Sequence, residues 1–144
     1  MSLIPFDQYS KMIENLPIFC VDIIIKNDRQ EYLLIKRDNE PKKGEWWVIG
    51  GRVLKGETAR DAVIRKVKEE TNLQVTELVP IGFFELVHAR NPFGLSFSYH
   101  AMSIVFMAVV GDYQNIKLDD QSTEFKFAKE LPKEFKIQKF SGVV

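Results

Sequence analysis

Gly51-Arg-Val-Leu-Lys-Gly-Glu57, then seven residues, then Arg65-Lys-Val-Lys-Glu69-Glu70-Thr-Asn-Leu73 is the stretch that decides the fold of this 144-residue chain. A glycine turn admits close approach of backbone to a ligand, and the first amides of a following helix point toward any bound anion. The spacing predicts an amphipathic helix from Thr58 to about Thr71, with Ala59, Val63, Ile64 and Val67 on one side and Arg60, Asp61, Lys68 and Glu69 elsewhere. Residues 66 and 70 lie one turn apart. Glu69 and Glu70 are consecutive and point about 100° apart, so only one of them faces the same ligand as the glycine turn. Carboxylates facing a phosphate repel it unless a cation intervenes, and a hard Mg²⁺ or Mn²⁺ with oxygen ligands is the usual bridge. The stretch therefore implies a metal and a diphosphate.

Working outward, apolar or aromatic residues at Phe6, Tyr9, Met12, Ile13 and Leu16 predict a short helix that Pro17 ends. Ile18 to Ile25 is rich in β-branched residues. Asn27-Asp28 is expected to turn it into a second strand, Glu31 to Ile35, as a hairpin. Trp46 to Ile49 reads as a short apolar strand ending in Gly50-Gly51. Beyond the helix, strands are expected at Leu73 to Val75, Leu78 to Val87 and Ala101 to Val110, with a loop at Asn91-Pro92-Phe93-Gly94. Asp112 to Glu124 reads as a polar loop, Phe125 and Phe127 as part of a last strand, and Lys129 as the start of a helix that Pro132 disturbs. Strands dominate around one central helix, so the class is α+β, an α/β/α sandwich about a mixed β-sheet.

Composition narrows the function. Twenty Lys plus Arg balance twenty Asp plus Glu, so no whole-molecule field points to nucleic acid or an anionic membrane, and an anionic ligand must be held by a local cluster. Cys20 is the only cysteine, which excludes an internal disulfide and suits a reducing compartment, with the cytoplasm as the default. No apolar run is long enough for a membrane helix, and the amino terminus lacks signal-peptide character. The 144 residues are read as one domain. Asp22 interrupts an apolar strand, where a carboxylate needs a partner or a ligand.

The quoted stretch resembles the box of the Nudix hydrolases, in which Gly, five residues, Glu, seven residues and Arg-Glu-apolar-any-Glu-Glu-any-Gly-apolar follow in order. Gly51, Glu57, Arg65, Val67, Glu69, Glu70 and Leu73 match, whereas Lys66 stands in place of a Glu and Asn72 in place of a Gly. Within the family, the chain looks most like the GDP-mannose mannosyl hydrolases, which also lack the Glu at position 66 and break the bond at sugar carbon. Val21-Asp22, Lys36-Arg37, Gly44-Glu-Trp46, Gly50-Gly-Arg52-Val53 and Ser98-Tyr-His100 carry that likeness.

The resemblance implies a Nudix fold and a Mg²⁺-dependent hydrolase, with Mn²⁺ as the alternative ion, acting on a nucleoside diphosphate sugar to release GDP and hexose. It implies that the Gly50 carbonyl, Glu70 and Gln121 ligate the metal, that Arg37 and Arg52 neutralise diphosphate oxygens, and that Asp22 holds a sugar hydroxyl. Arg65 would orient a glutamate and Glu69 would serve the chemistry; a homodimer is implied as well. Ser122 follows Gln121 where those hydrolases have the histidine base, which leaves Asp119, Asp120, Glu124, His100 and His88 as candidates. Two other readings stay open: a pyrophosphatase attacking phosphorus through Glu69 and a loop carboxylate, and a nucleotide-sugar binding module with a decayed box.

Overall fold

The computed structural model describes residues 4–38, 43–119 and 122–141. In chain order its elements are α1 (Phe6–Asn15), β1 (Ile18–Ile25), β2 (Tyr32–Arg37), β3 (Trp46–Trp47), β4 (Ile49–Arg52), α2 (Ala59–Thr71), β5 (Gln74–Ala89), β6 (Tyr99–Gly111), β7 (Ser122–Ala128) and β8 (Gln138–Lys139), with a 3-10 turn at Tyr113–Asn115. β1 is the strand around which the rest is arranged. It pairs antiparallel with β4 and parallel with β6, so the five-stranded sheet, ordered β4-β1-β6-β5-β8, is mixed. A second sheet of three strands runs β3-β2-β7.

Residues alternate between the two faces of β1, and each face is buried. On one, Val21, Ile23 and Ile25 pack with Phe106, Ala108 and Val110 of β6 against Ala62, Val63 and Val67 of α2. On the other, Ile24, Val105 and Phe84 meet Leu34, Trp47, Val48 and Phe135. Ile13 of α1 closes the start of the sheet on Ile18, Tyr99 and Ala101. The fold is α+β, a mixed sheet between helical layers.

Several boundaries differ from the sequence reading. The expected β1–β2 hairpin does not form as such: the strands belong to different sheets and meet only at the bridge Lys26↔Tyr32. Asn27 still makes the turn, because its side-chain oxygen accepts from the amides of Arg29 and Glu31. Trp46 to Ile49 divides at Val48, with β3 pairing to β2 and β4 to β1, and Gly50-Gly51 lie inside β4. The two strands expected before and after residue 77 are one strand, β5. Register shifts at Val75/Glu77 and Pro80/Gly82 absorb the proline, which has no amide to donate.

No helix starts at Lys129. Pro132 instead accepts from the Phe135 amide in a turn, and Phe135 is drawn into the core between Trp47 and Phe84, ring centroids 5.2 and 5.1 Å away. Burial of that ring outweighs the helical periodicity of a short polar segment. Phe135→Ala is accordingly predicted to lower the free energy of unfolding by about 3 kcal/mol, measured by urea denaturation.

Candidate functional site

α2 owes its ends to local chemistry. Thr58 Oγ1 accepts from the Asp61 amide at 3.1 Å, capping the N-terminus, and Asn72 ends the helix at φ 61°, ψ 13°. That left-handed conformation is the one the family's glycine adopts without strain, and asparagine is among the few other residues that tolerate it. The departure at Asn72 is thus conformationally neutral. Past the helix, the Lys117 amide donates to Thr71 O at 2.9 Å, tying the loop before β7 to the foot of α2.

Arg65 laces the glycine turn to the helix. Its Nη2 and Nε donate to Glu57 Oε1 and Oε2 at 2.7 and 3.0 Å, and Nη2 also donates to the Arg52 carbonyl at 3.0 Å. Nη1 reaches Glu69 Oε2 at 3.3 Å. Glu57 in turn accepts from the Leu54 amide at 2.8 Å, so the whole turn from 52 to 57 hangs on one guanidinium. The Arg65 hydrogen bonds hold the Glu57 carboxyl below its ordinary 4.5, and the same bonds raise the Arg65 guanidinium.

The two glutamates divide as the helical geometry requires. Glu69 is 40% exposed, whereas Glu70 is wholly buried. Lys66 Nζ lies 3.1 Å from Glu70 Oε1 and Arg37 Nη1 3.8 Å away, and among the described residues no other donor meets either carboxylate oxygen. Lys66 also stands 3.7 Å from Glu69 Oε2. Burial pushes the Glu70 carboxyl up, opposed by the positive charges of Lys66 and Arg37 and reinforced by the negative charge of Asp119.

Gly50 and Gly51 face opposite ways along β4. A Cβ on Gly51 would lie 2.7 Å from Lys66 Cε, and one on Gly50 would lie 2.6 Å from Asp22 Oδ1. Lys66 and Glu70 therefore stand on the α2 side of this bare strand and Asp22 on the other. Arg52 shares the Asp22 side, its guanidinium 4.9 Å above the ring of Tyr9. Beneath it, burial and the negative charge of Asp22 push the Cys20 thiol up to about 12, and burial raises the Tyr99 hydroxyl, which donates to Tyr9.

The structure thus groups Arg37, Arg65, Glu69 and Glu70 about Lys66, and Asp22 with Arg52, the two groups back to back across Gly50-Gly51. Gln121, the third expected metal ligand, and Asp120 lie outside the described residues. Their chain neighbours are placed: Asp119 acts electrostatically on Glu70, and Ser122 is the register partner of Arg37. His88 and His100 line a separate cleft of about 190 Å³ at the end of α1, and Glu124 is exposed opposite Lys36. A cavity of about 730 Å³ beside Lys68, Asn72 and Lys117 holds neither box carboxylate and no arginine.

Two buried carboxylate oxygens that, among the described residues, meet no donor but the Lys66 ammonium are an acceptor pair that suits a hard cation. Among the described residues no three His, Cys, Asp or Glu side chains converge, so such a cation would draw its other ligands from backbone or amide oxygens, water and substrate. Burial of Lys66 against Glu70 and the stack of Arg52 on Tyr9 are not among the sequence expectations; the mismatch at position 66 signals the first, and nothing local signals the second.

The NUDIX domain matches residues 17–139, and the chain belongs to that family. The low-salt glycan biosynthesis protein Agl8 of Haloferax volcanii is 34% identical over 123 residues, covering 85% of this chain and 78% of that protein. An ADP-ribose pyrophosphatase of Methanocaldococcus jannaschii is 39% identical over 118 residues, 81% of this chain and 66% of its own length. Among solved structures, a MutT NUDIX hydrolase of Burkholderia pseudomallei superposes with TM-score 0.70 at 21% identity, over 84% of this chain and 94% of that one.

Arg65→Ala is predicted to lower stability by about 2 kcal/mol in urea denaturation, and Arg65→Lys to recover little of it, because an ammonium cannot replace the planar two-pronged contact. Because the folded-state Glu57 carboxyl is depressed, its contribution is complete above the ordinary 4.5 and disappears as pH falls through the lower folded value. The stability gap between wild type and Glu57→Gln is predicted to be constant above that pH and to close below it.

Proposed function

We propose that the chain is a Mg²⁺-dependent Nudix hydrolase of a nucleoside diphosphate sugar, releasing nucleoside diphosphate and hexose, with GDP-mannose as the leading substrate. The observation that carries this reading is the Lys66–Glu70 pair. An ammonium held between Glu69 and Glu70 stands where the box has a carboxylate, so that position offers no base for activating water toward phosphorus. Attack at the anomeric carbon makes no demand on it: the diphosphate leaves carrying added negative charge, and cations near it favour the transition state over the ground state.

Glu70, the Gly50 carbonyl and Gln121 are assigned to the metal, which when bound neutralises diphosphate charge. Arg37, 3.8 Å from Glu70, is assigned to the diphosphate on the α2 side. Asp22, on the opposite side of Gly50, is assigned to a hexose hydroxyl. Arg52, stacked on Tyr9 of α1, is assigned to a phosphate on that side. Asp119 is the loop carboxylate that acts on Glu70, which makes it the first candidate for the base in the place of the missing histidine. A cytoplasmic homodimer completes the reading; no helix among the described residues is long and apolar enough to cross a membrane.

The relative that is an ADP-ribose pyrophosphatase favours a second reading, attack at phosphorus of another nucleoside diphosphate derivative. Phosphorus NMR of the products from GDP-mannose separates the two. GDP and free hexose are predicted; GMP with hexose 1-phosphate would establish the second reading instead, and binding without turnover would mark a binding module. Glu70→Gln is predicted to abolish the Mg²⁺-dependent turnover by at least about two orders of magnitude with the fold retained, checked by circular dichroism.

A further inference from the structure

Lys66 has no place in the ligand set assigned above, yet it is built into the site. It is only 9% exposed, its stem is threaded over Gly51, where any Cβ would collide with it, and its ammonium stands 3.1 Å from Glu70 Oε1. Among the described residues no other donor meets Glu70, and with Arg37 at 3.8 Å the lysine is the nearer of its two countercharges. A buried carboxylate left without a countercharge is strongly unfavourable, so the charge of Lys66 offsets part of the cost of burying Glu70.

A divalent cation at the same carboxylate and an ammonium 3.1 Å from it would repel one another across a few ångströms of poorly screening surroundings. We infer that Lys66 is a tethered cation that holds the metal's place at Glu70 and hands over to it when a diphosphate arrives. The ammonium then moves along its flexible four-carbon stem to phosphate oxygens, and three positive groups (the metal, Lys66 and Arg37) share the ligand's charge. Free metal and Lys66 are alternative partners of Glu70, whereas metal and diphosphate bind together. This rests on the assignment of Glu70 to the metal made under the proposed function.

Mn²⁺ binding to the full chain, read by electron paramagnetic resonance with and without GDP, tests it. Lys66→Met keeps the stem over Gly51 and removes the charge; Lys66→Gln is the second variant should Met disturb folding. Without GDP, the Lys66 variant is predicted to bind Mn²⁺ about tenfold or more tightly than wild type, and to gain thermal stability at Mn²⁺ concentrations that leave wild type unchanged. Addition of GDP is predicted to tighten Mn²⁺ binding by wild type about tenfold beyond that of Mn²⁺ for free GDP, and that of the variant far less. Equal Mn²⁺ affinities for wild type and variant, or no effect of GDP on wild type, would overturn the handover while leaving Glu70 as a ligand. Failure of every form to bind Mn²⁺, with or without GDP, would remove the metal assignment itself.

Discussion

A carboxylate with no exposed surface lies at the foot of the glycine turn, and the fold around it sets positive charge against the cost of its burial. Glu70 is buried between α2 and the edge of the main sheet, and among the described residues no donor but the Lys66 ammonium meets its oxygens. Isolated, such a group would take up a proton or unfold its surroundings. Lys66 from the preceding turn and Arg37 from the second sheet supply the opposing charge, and Gly51 supplies the room, since a Cβ there would push the lysine stem aside. The α2 packing on β1 and β6 fixes where that carboxylate can be.

Around this point the box residues separate into distinct physical roles. Arg65 and Glu57 hold the glycine turn on the helix through bidentate hydrogen bonds and the Arg52 carbonyl. Glu69, one residue from Glu70, is turned outward and held by Arg65 and Lys66. The Thr71 carbonyl, bound by the Lys117 amide, brings the loop ahead of β7 to the helix end, which is how Asp119 comes to act on Glu70. On the other side of β4, Arg52 stacks on Tyr9, and Asp22 acts electrostatically on Cys20 and Tyr99.

Much of this was legible in the residues. The helix from Thr58, the outward and inward glutamates, and the apolar run of β6 follow from periodicity and capping, which are local properties. What escaped were decisions made by distant partners. The β1–β2 segment carries every local mark of a hairpin, yet β1 finds better pairing with β6 and β4, and the two strands part into separate sheets. The tail after Ala128 has helical spacing, but Phe135 is captured by Trp47 and Phe84, residues far away in the chain. At the site, Lys66 was visible as a mismatch; that it is buried and poised on Glu70, rather than a solvated ion pair, depends on the Gly51 backbone lying against it. Arg52 and Arg37 read alike in sequence as cations for a diphosphate, but they lie in different sheets, Arg37 beside Glu70 and Arg52 on the Asp22 side of β4.

The most direct test of the account is a crystal structure grown with Mn²⁺ and a nucleoside diphosphate, with the metal located by its anomalous scattering. The account predicts a peak bound to the Glu70 carboxylate beside Gly50, with Lys66 turned away from Glu70 toward the diphosphate. A metal bound elsewhere, with the Lys66–Glu70 pair intact beneath the nucleotide, would contradict it.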